Sequence, residues 1–517
     1  MSVLNQASPS TVLSDAAPTP RPSACPGLLR IVAARDGGIC RIKLPGGELS
    51  AAQARVIAQA SARYAAGVVE LTNRANVQVR GVKRGEEAAL IAALVDAGLG
   101  PMPAPGAANA ADAEAGNGVY AKAADAADAI AGNTADAARA ITAAAAADDV
   151  RNVMISPTAG RDPFALFDTR PLCAELLTLL QSEARFAALS PKFALLLDGG
   201  ERLARVDHPH DVWLAASQEG DGMRFVFGLA GCPPVRAYAG SPTQCEHIAP
   251  EKPSADATDA LAAILPSQVP ALVRALLLTF LDLATADATR MRHLLAAHSV
   301  DTLLHHAQRY LDFPLTRDTV LSNWHRSTPA DANLRLGAHA QRALETWHVG
   351  GQPPLGRLDA DALNGLAALS QQHGDGTLRL TPWQSVLLPD IATHAVPTVL
   401  SGLNTLGLAC DPAQAITRLI ACAGSTGCAK SLTDTKADAL RLAARLPAGV
   451  DVHLSGCSRS CAAAHCAPYT LLAAAPGLYD LYRRDGQPGF GQCVARQLTI
   501  GEAADMLERL ARSDTDA

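Results

Sequence analysis

A long segment of the chain occurs twice. When the sequence is shifted by 309 positions, residues 49–82 lie on residues 358–391 without a gap. The helical pattern of Ala51–Tyr64 then falls on Ala360–His373, and both copies continue into alternating, strand-like sequence. Chance similarity between alanine-rich helices is the alternative, which the match through the strands disfavours. We therefore predict an α/β chain with duplicated halves folded about a pseudo-twofold axis, and a site that takes residues from both halves.

Composition excludes several classes of function. The 517 residues suggest three to four domains, and the formal charge of −6 gives no footprint for nucleic acid or a membrane surface. No apolar run approaches the ~18 residues of a membrane span. The first 24 residues lack a basic start followed by an apolar core, so we expect a disordered tail rather than a signal peptide. We expect a soluble, cytoplasmic protein whose twelve cysteines serve as thiols and metal ligands rather than disulfides.

Pattern and composition also divide the chain into segments. Between residues 103 and 149, 23 of 47 residues are alanine, which predicts a flexible or weakly helical insert. The predicted order is a tail (1–24), a first half-domain (25–102), the alanine-rich insert (103–149), a first α/β domain (150–311), a connector (312–349), a second half-domain (350–411), a second α/β domain (412–511) and a short tail (512–517).

Four cysteines form the most specific motif. Five residues separate Cys422 from Cys428, three separate Cys457 from Cys461, and 28 residues lie between the pairs. Four thiolates suit a [4Fe–4S] cluster or a zinc ion. Structural zinc prefers ligand pairs two to four residues apart, so the five-residue gap with its glycines favours the cluster over zinc or unrelated buried thiols. Three nearby cysteines are expected only to pack as small apolar residues: Cys410, Cys466 and Cys493.

This cysteine pattern on a duplicated α/β chain resembles the sulfite and nitrite reductase family. Four further segments are similar to the family's motifs: Leu71–Gln78, Arg151–Val153, Ser190–Phe193 and Arg379–Gln384. The resemblance covers nearly the whole chain outside the tail and the insert. It implies two ferredoxin-like half-domains, two α/β reductase-like domains, a [4Fe–4S] cluster on the four cysteines, and a bound tetrapyrrole.

In this family, basic residues grip the carboxylates of the tetrapyrrole and a small anion. The matching positions give the candidate tetrapyrrole-binding residues: Arg74, Asn76, Arg151, Lys192, Arg379 and Gln384. Glu70 and Ala194, however, stand where sulfite reductases have basic residues. An acid beside bound sulfite would repel it, which disfavours the reduction of sulfite or nitrite. Glu70 could instead form a structural pair with Arg379 across the pseudo-twofold axis.

One branch of the family fits these departures. The resemblance to it implies O₂-dependent hydroxylation of precorrin-3A at the meso carbon between rings A and D, with closure of a γ-lactone, in aerobic cobalamin biosynthesis. The implied cofactors are the [4Fe–4S] cluster and a mononuclear non-haem iron, with NADH as the ultimate reductant. A sirohaem-dependent assimilatory sulfite or nitrite reductase is the alternative. A zinc- or cluster-stabilised scaffold without enzymatic activity is the third interpretation.

The sequence leaves the ligands of the mononuclear iron unassigned. Residues 207–211 (Asp-His-Pro-His-Asp) have the residue types of a facial triad, but Pro209 disrupts a strand and favours a structural turn. His453 and His465 are comparably weak candidates. A partial dinucleotide pattern at residues 116–121 lies in the insert with no strand before it. Electrons from NADH are therefore expected to arrive through a separate electron-transfer reductase.

Overall fold

The described part of the chain forms four five-stranded sheets with helices packed against them. The computed structural model describes residues 25–101, 135–219, 222–235, 260–463, 467–485 and 489–515. The predicted tail at 1–24 and most of the predicted insert lie outside these residues. Among the helices that are described, none is long and apolar enough to cross a membrane.

The first half-domain is an antiparallel sheet covered by helices. Its long helix has a capping box, because the Ser50 hydroxyl accepts a hydrogen bond from the Gln53 N–H and the Gln53 side chain accepts one from the Ser50 N–H, both at 3.1 Å. The elements are β1 (Val32–Ala34), β2 (Gly37–Ile42), β3 (Glu48–Ser50), α1 (Ala51–Tyr64), β4 (Val68–Leu71), β5 (Val77–Val82) and α2 (Glu87–Asp96).

The first α/β domain contains a mixed sheet in the order β10-β9-β8-β7-β6. Strands β6, β7 and β8 run parallel, whereas β9 and β10 are antiparallel to their neighbours. The elements are α3 (Ala135–Asp149), β6 (Val153–Met154), α4 (Arg170–Ser182), β7 (Leu195–Asp198), β8 (His210–Glu219), β9 (Gly222–Gly231), β10 (Ala262–Ile264), α5 (Val269–Leu283), α6 (Met291–Leu295) and α7 (Val300–Ala307).

Helix α3 corrects the predicted insert. Its residues were expected to belong to a flexible or weakly helical linker, but they form a helix whose carboxyl end is buried, with Asp148 and Asp149 only 1% and 6% exposed. Asp149 pairs with Arg30 at 2.8 Å, and Asp148 accepts a hydrogen bond from the Leu28 N–H at 3.3 Å. The alanine-rich composition gave no indication that these two carboxylates hold the helix against the first half-domain.

The second half of the chain repeats both layers. Strands β11 and β12 lie within residues 337–351, so most of their residues fall in the predicted connector although they belong to the second half-domain. The elements are β11 (Gly337–Ala340), β12 (Thr346–Gly351), β13 (Arg357–Asp359), α8 (Ala360–His373), β14 (Thr377–Leu380), β15 (Val386–Ala392), α9 (Val396–Thr405), β16 (Leu419–Ala421), α10 (Gly424–Gly427), α11 (Thr435–Ala443), β17 (Val452–Ser455), β18 (Tyr469–Ala475), β19 (Leu478–Arg483), β20 (Gln492–Leu498) and α12 (Ile500–Thr515).

The two half-domains exchange a strand. Strand β13 of the second copy pairs with β4 of the first, and β3 of the first pairs with β14 of the second, both antiparallel. The shift of 309 relates β2 to β12, β3 to β13, α1 to α8 and α2 to α9, so the duplication is confirmed and extends beyond the sequence match. Because each sheet is completed by the other copy, both half-domains share one apolar core.

The α/β domains are duplicated as well. The sheet β16-β17-β18-β19-β20 has the same pattern as the first α/β sheet, with three parallel strands followed by two antiparallel ones. Ligand sites in such sheets lie at the carboxyl ends of the parallel strands. The fold therefore offers two such edges, one after β6 and β7 and one after β16 and β17.

Candidate functional site

A pocket opens between the first half-domain and the first α/β domain. It lies at the amino ends of the parallel strands β6, β7 and β8, where Arg151 precedes β6, Ala194 precedes β7 and His210 begins β8. Three of the predicted tetrapyrrole-binding residues meet there. The lining residues are Leu44, Arg74, Asn76, Arg151, Asn152, Val153, Met154, Ala194 and His210.

The two arginines of this pocket differ in their partners. Arg151 pairs with the buried Asp148 at 3.1 Å. Arg74 forms no ion pair within the described residues. Burial, helped by the positive charges of Arg290 and Arg41 and partly opposed by Asp211, lowers the pKa of Arg74 to about 10. Arg74 is therefore a desolvated cation that an incoming carboxylate would stabilise.

The other predicted binding residues have different surroundings. Asn76 lines the pocket, but its side-chain oxygen already accepts a hydrogen bond from the Leu44 N–H at 2.8 Å. Lys192 is exposed and outside the pocket lining. Gln384 is 9% exposed and has a positive φ of 61°; it packs on Gly356, where a Cβ would lie 2.9 Å from its side chain.

Arg379 lies within a strand pair rather than in the pocket. It is 3% exposed, and its guanidinium pairs with Glu48 across β14 and β3 at 2.5 Å. The expected pair between Glu70 and Arg379 is wrong, because Glu70 binds Arg357 at 2.8 Å. Strand exchange is the reason: it brings Arg357 opposite Glu70 and Glu48 opposite Arg379.

Two basic residues near the pocket escaped the sequence analysis. The Arg41 Nε is buried without a hydrogen bond; burial lowers the pKa of Arg41, and nearby Cys25 and Cys461 partly offset this. Lys43 donates its Nζ to the Asp149 carbonyl at 2.6 Å, and burial lowers its pKa to about 8. Arg41 and Lys43 are two positions apart in an otherwise apolar segment. In a strand this spacing places both side chains on one face, and it could have identified them from the sequence.

A second pocket, at the carboxyl ends of β6 and β7, adjoins the first at Met154. Its lining includes Arg205 from the first α/β domain and Pro382 from the loop after β14. The Arg205 guanidinium also lies 5.4 Å from the centre of the Trp383 ring. The second half-domain therefore reaches the same region, in agreement with a site that uses both halves.

Residues 207–211 form a turn fixed by ion pairs. Asp207 pairs with Arg205 at 2.5 Å, and Asp211 binds the Arg290 Nε through both oxygens at 2.9 Å. The rings of His208 and His210 meet edge to face, with 5.4 Å between their centres. Both carboxylates thus have cationic partners, which fits the structural turn that the sequence favoured.

The four predicted cluster cysteines follow parallel strands. Cys422 comes directly after β16, Cys428 ends α10, and Cys457 and Cys461 follow β17. Because β16 and β17 are parallel neighbours, their carboxyl ends share one edge of the sheet. The Cys422 Sγ accepts a hydrogen bond from the Gly456 N–H at 3.2 Å.

The four thiols interact electrostatically with one another and with nearby cations. Burial raises the pKa of Cys461, and the charges of the other three thiols raise it further. Arg80 lies within electrostatic reach of Cys428, Lys436 of Cys422, and Arg41 of Cys461. Four thiolates ringed by three cations fit a negatively charged iron–sulfur cluster.

The described residues contain no candidate site for a single metal ion. Within the described residues, no three His, Cys, Asp or Glu side chains stand close enough to bind one metal ion. Cys410 and Cys493 are free and partly buried, and burial raises the pKa of Cys410 to about 11, as for a packing residue. His453 is fully buried. Cys466, His465 and the pattern at 116–121 lie outside the described residues.

Comparison with known proteins agrees with this architecture. The family described as the nitrite/sulfite reductase ferredoxin-like half domain matches residues 33–97 and 339–406. The family described as the nitrite and sulphite reductase 4Fe-4S domain matches residues 146–315. That second match covers the first α/β domain, which carries the pocket, and ends before the four cysteines. The family description nevertheless supports an iron–sulfur cluster as the cofactor.

Individual relatives fall into two groups. A Sinorhizobium precorrin-3B synthase is 26% identical over 96% of this chain and 90% of its own length. The chloroplastic ferredoxin–nitrite reductase of Arabidopsis thaliana is also 26% identical, over 81% of this chain, which spans only 64% of that protein. Among solved structures, the Mycobacterium tuberculosis NirA protein superposes with a TM-score of 0.68 at 20% identity, covering 92% of this chain and 80% of its own. That likeness shows the fold.

Proposed function

The chain belongs to the nitrite and sulfite reductase family of oxidoreductases, and from this premise we propose that it is a precorrin-3B synthase. The proposed reaction is the O₂-dependent hydroxylation of precorrin-3A at the meso carbon between rings A and D, followed by closure of a γ-lactone. One oxygen atom of O₂ enters the substrate, and the other leaves as water after two electrons and two protons are taken up.

Length supports this proposal over the alternative. The precorrin-3B synthase relative aligns with nearly the whole chain and nearly all of its own length, whereas the chain spans about two thirds of the plant nitrite reductases. Identity does not discriminate, since both groups reach 26%. The alternative of a sirohaem-dependent sulfite or nitrite reductase is retained because those relatives are equally similar in sequence.

The observation that carries the proposal is the chemistry of the pocket. Arg74 and Arg151 provide cations for the acetate and propionate arms of a tetrapyrrole. Ala194 contributes only a methyl group at the position where sulfite reductases have a lysine. Glu70, at the other departing position, is neutralised by Arg357, Arg80 and Lys436 and lies outside the pocket lining. This pocket suits a polycarboxylate substrate better than the concentrated charge that a small oxyanion needs.

The four cysteines would hold the cluster, which supplies one-electron transfer when it is bound. Gly456 donates to one thiolate, and Arg80, Lys436 and Arg41 offset the charge of the set. We propose that NADH electrons reach it through a separate reductase. The mononuclear iron required by the proposed reaction has no assigned ligands.

Two measurements test the proposal. Anaerobically purified protein should show a broad brown absorption and about four iron and four sulfide per cluster. Additional iron would count the mononuclear site. Supplied with precorrin-3A, a reducing system and ¹⁸O₂, it should give a product that has gained one ¹⁸O atom. A sharp haem absorption band together with reduction of nitrite or sulfite by a dithionite-reduced dye would overturn the proposal in favour of the alternative.

A further inference from the structure

His210 is a buried polar side chain with no role in the proposed reaction. It begins β8, is 1% exposed, and forms part of the pocket lining beside Arg74 and Arg151. Neither ring nitrogen makes a hydrogen bond of ordinary geometry. A buried polar group without a partner costs about 1–3 kcal/mol, so an imidazole in this position points to a ligand that completes it.

Cations surround the ring from several elements. Arg74 reaches it from the loop after β4, Arg290 from the start of α6, and Arg205 from the loop before β8. Burial, together with the charges of Arg74, Arg290 and Arg205, lowers the pKa of His210 to about 3, and the nearby His208 backbone partly opposes this shift. In these surroundings the imidazole of His210 is therefore neutral.

The remaining charged groups define what can bind. Asp211, the next residue, is engaged by Arg290 and by the N–H groups of Ala194 and Met291. Asp211 partly offsets the charge of Arg74 at a distance, but within the described residues no carboxylate forms an ion pair with Arg74. A metal cation would meet these arginines with repulsion, whereas an anion would be attracted to them and could accept a hydrogen bond from the ring.

We propose that His210 binds one carboxylate arm of the substrate and takes up a proton as that arm enters the pocket. The inference rests on the proposed function and names its specificity residue. Burial and the charges of Arg74, Arg290 and Arg205 keep the imidazole neutral. A carboxylate that enters beside Arg74 cancels one of those charges and pairs with the imidazolium, which favours protonation of the ring. By linkage, a complex that binds one more proton than its free components becomes tighter as the pH falls.

Calorimetry with uroporphyrin, a tetrapyrrole octacarboxylate, tests this directly. Titrations at pH 7 in phosphate and in Tris, which differ in ionisation enthalpy, give the number of protons taken up per molecule bound. We expect about one proton for the parent protein, and affinity that falls about tenfold to a hundredfold from pH 6.5 to pH 8.5, because uptake of one proton changes affinity by up to about tenfold per pH unit. His210→Gln should bind at least tenfold more weakly and take up almost no proton. His305→Gln, which changes an exposed residue of α7, should behave like the parent.

Two further variants guard the interpretation. His210→Asn keeps a polar group in a smaller volume, so it tests the same point if the glutamine distorts the pocket. His208→Gln should retain proton uptake. Binding without proton uptake in the parent, or uptake that persists in both His210 variants, would overturn the inference and leave the proposed function intact. Failure of the parent to bind uroporphyrin at all would overturn both.

Discussion

Glu70 and Arg379 are related by the internal repeat, yet each pairs with a residue of the strand that the other half-domain donates. Glu70 on β4 binds Arg357 on β13 at 2.8 Å, and Arg379 on β14 binds Glu48 on β3 at 2.5 Å. The shift of 309 that relates residues 70 and 379 also relates 48 and 357. The two ion pairs are therefore equivalent by pseudo-symmetry with their charges reversed, and each fastens an exchanged strand.

Glu70 and Arg357 form one ion pair, but we predict that substituting them lowers the stability by unequal amounts. Glu70 is 12% exposed and also faces the buried cations Arg80 at 3.5 Å and Lys436 at 3.7 Å. Glu70→Gln should cost about 3 kcal/mol, because it leaves the buried Lys436 without a carboxylate partner, although Arg80 keeps its ion pair with Asp36. Arg357→Gln should cost about 1 kcal/mol or less, because Arg357 is 40% exposed and Glu70 keeps two partners. Denaturant unfolding measures both, and equal losses would contradict the assignment.

The same carboxylate should make stability depend on pH. Burial alone would raise the pKa of Glu70, but Lys436, Arg80 and Arg357 lower it below its ordinary value of 4.5. A group whose pKa is lower in the folded state stabilises the fold above the unfolded pKa and loses this contribution as the pH falls through the folded pKa. Unfolding free energy should therefore drop below about pH 4.5, and the drop should be smaller in Glu70→Gln. An unchanged acid limb would show that Glu70 is not the responsible group.

The sequence predicted the repeat and the cysteine motif because both are local patterns. It could not predict strand exchange, since β3 and β13 are three-residue strands whose partners lie 331 and 287 positions away in the chain. Because of this exchange, Arg379 binds Glu48 of the exchanged strand and does not line the pocket. The structure brings Arg74 and Arg151, which the motifs selected, to one pocket, but the motifs had no means to separate the exposed Lys192 from them.

Substitution should distinguish the cysteines that bind the cluster from those that only pack. Cys428→Ser and Cys457→Ser should abolish the brown absorption and the bound iron and sulfide, because a [4Fe–4S] cluster needs its protein thiolates. Cys493→Ser is the matched control: Cys493 lies on β20, away from the carboxyl ends of β16 and β17, and its thiol contacts the Ala495 carbonyl. Iron and sulfide analysis of the three variants decides the matter. Full cluster content in both of the first two would refute the ligand assignment.

Deletions should distinguish the two parts of the alanine-rich segment. Removing residues 107–146 takes away most of α3 and should strongly destabilise the protein, since Asp148 and Asp149 would lose the helix that holds them against Leu28 and Arg30. Removing residues 107–130 leaves the whole helix and should preserve the melting temperature and activity. Equal melting temperatures for the two deletions would show that α3 contributes nothing to stability.

Arg74 gives the most decisive test of the tetrapyrrole pocket. Because it has no ion-pair partner within the described residues, Arg74→Ala removes a cation without leaving a buried carboxylate behind. One lost charge-assisted hydrogen bond is worth about 1.5–3 kcal/mol, so uroporphyrin should bind about tenfold to a hundredfold more weakly, at ~1.4 kcal/mol per decade. Arg151→Ala should show the same loss together with reduced stability, because it removes the ion-pair partner of the buried Asp148.

Two controls complete that test. Lys192→Ala should change affinity less than threefold, since Lys192 is exposed and outside the pocket lining. Arg379→Ala should lower the melting temperature but spare affinity, because its guanidinium is committed to Glu48. Binding titrations and thermal unfolding on all four variants separate the two effects. If Lys192→Ala weakened binding as much as Arg74→Ala, the carboxylate arms would lie on the outer surface of the first α/β domain instead of in this pocket.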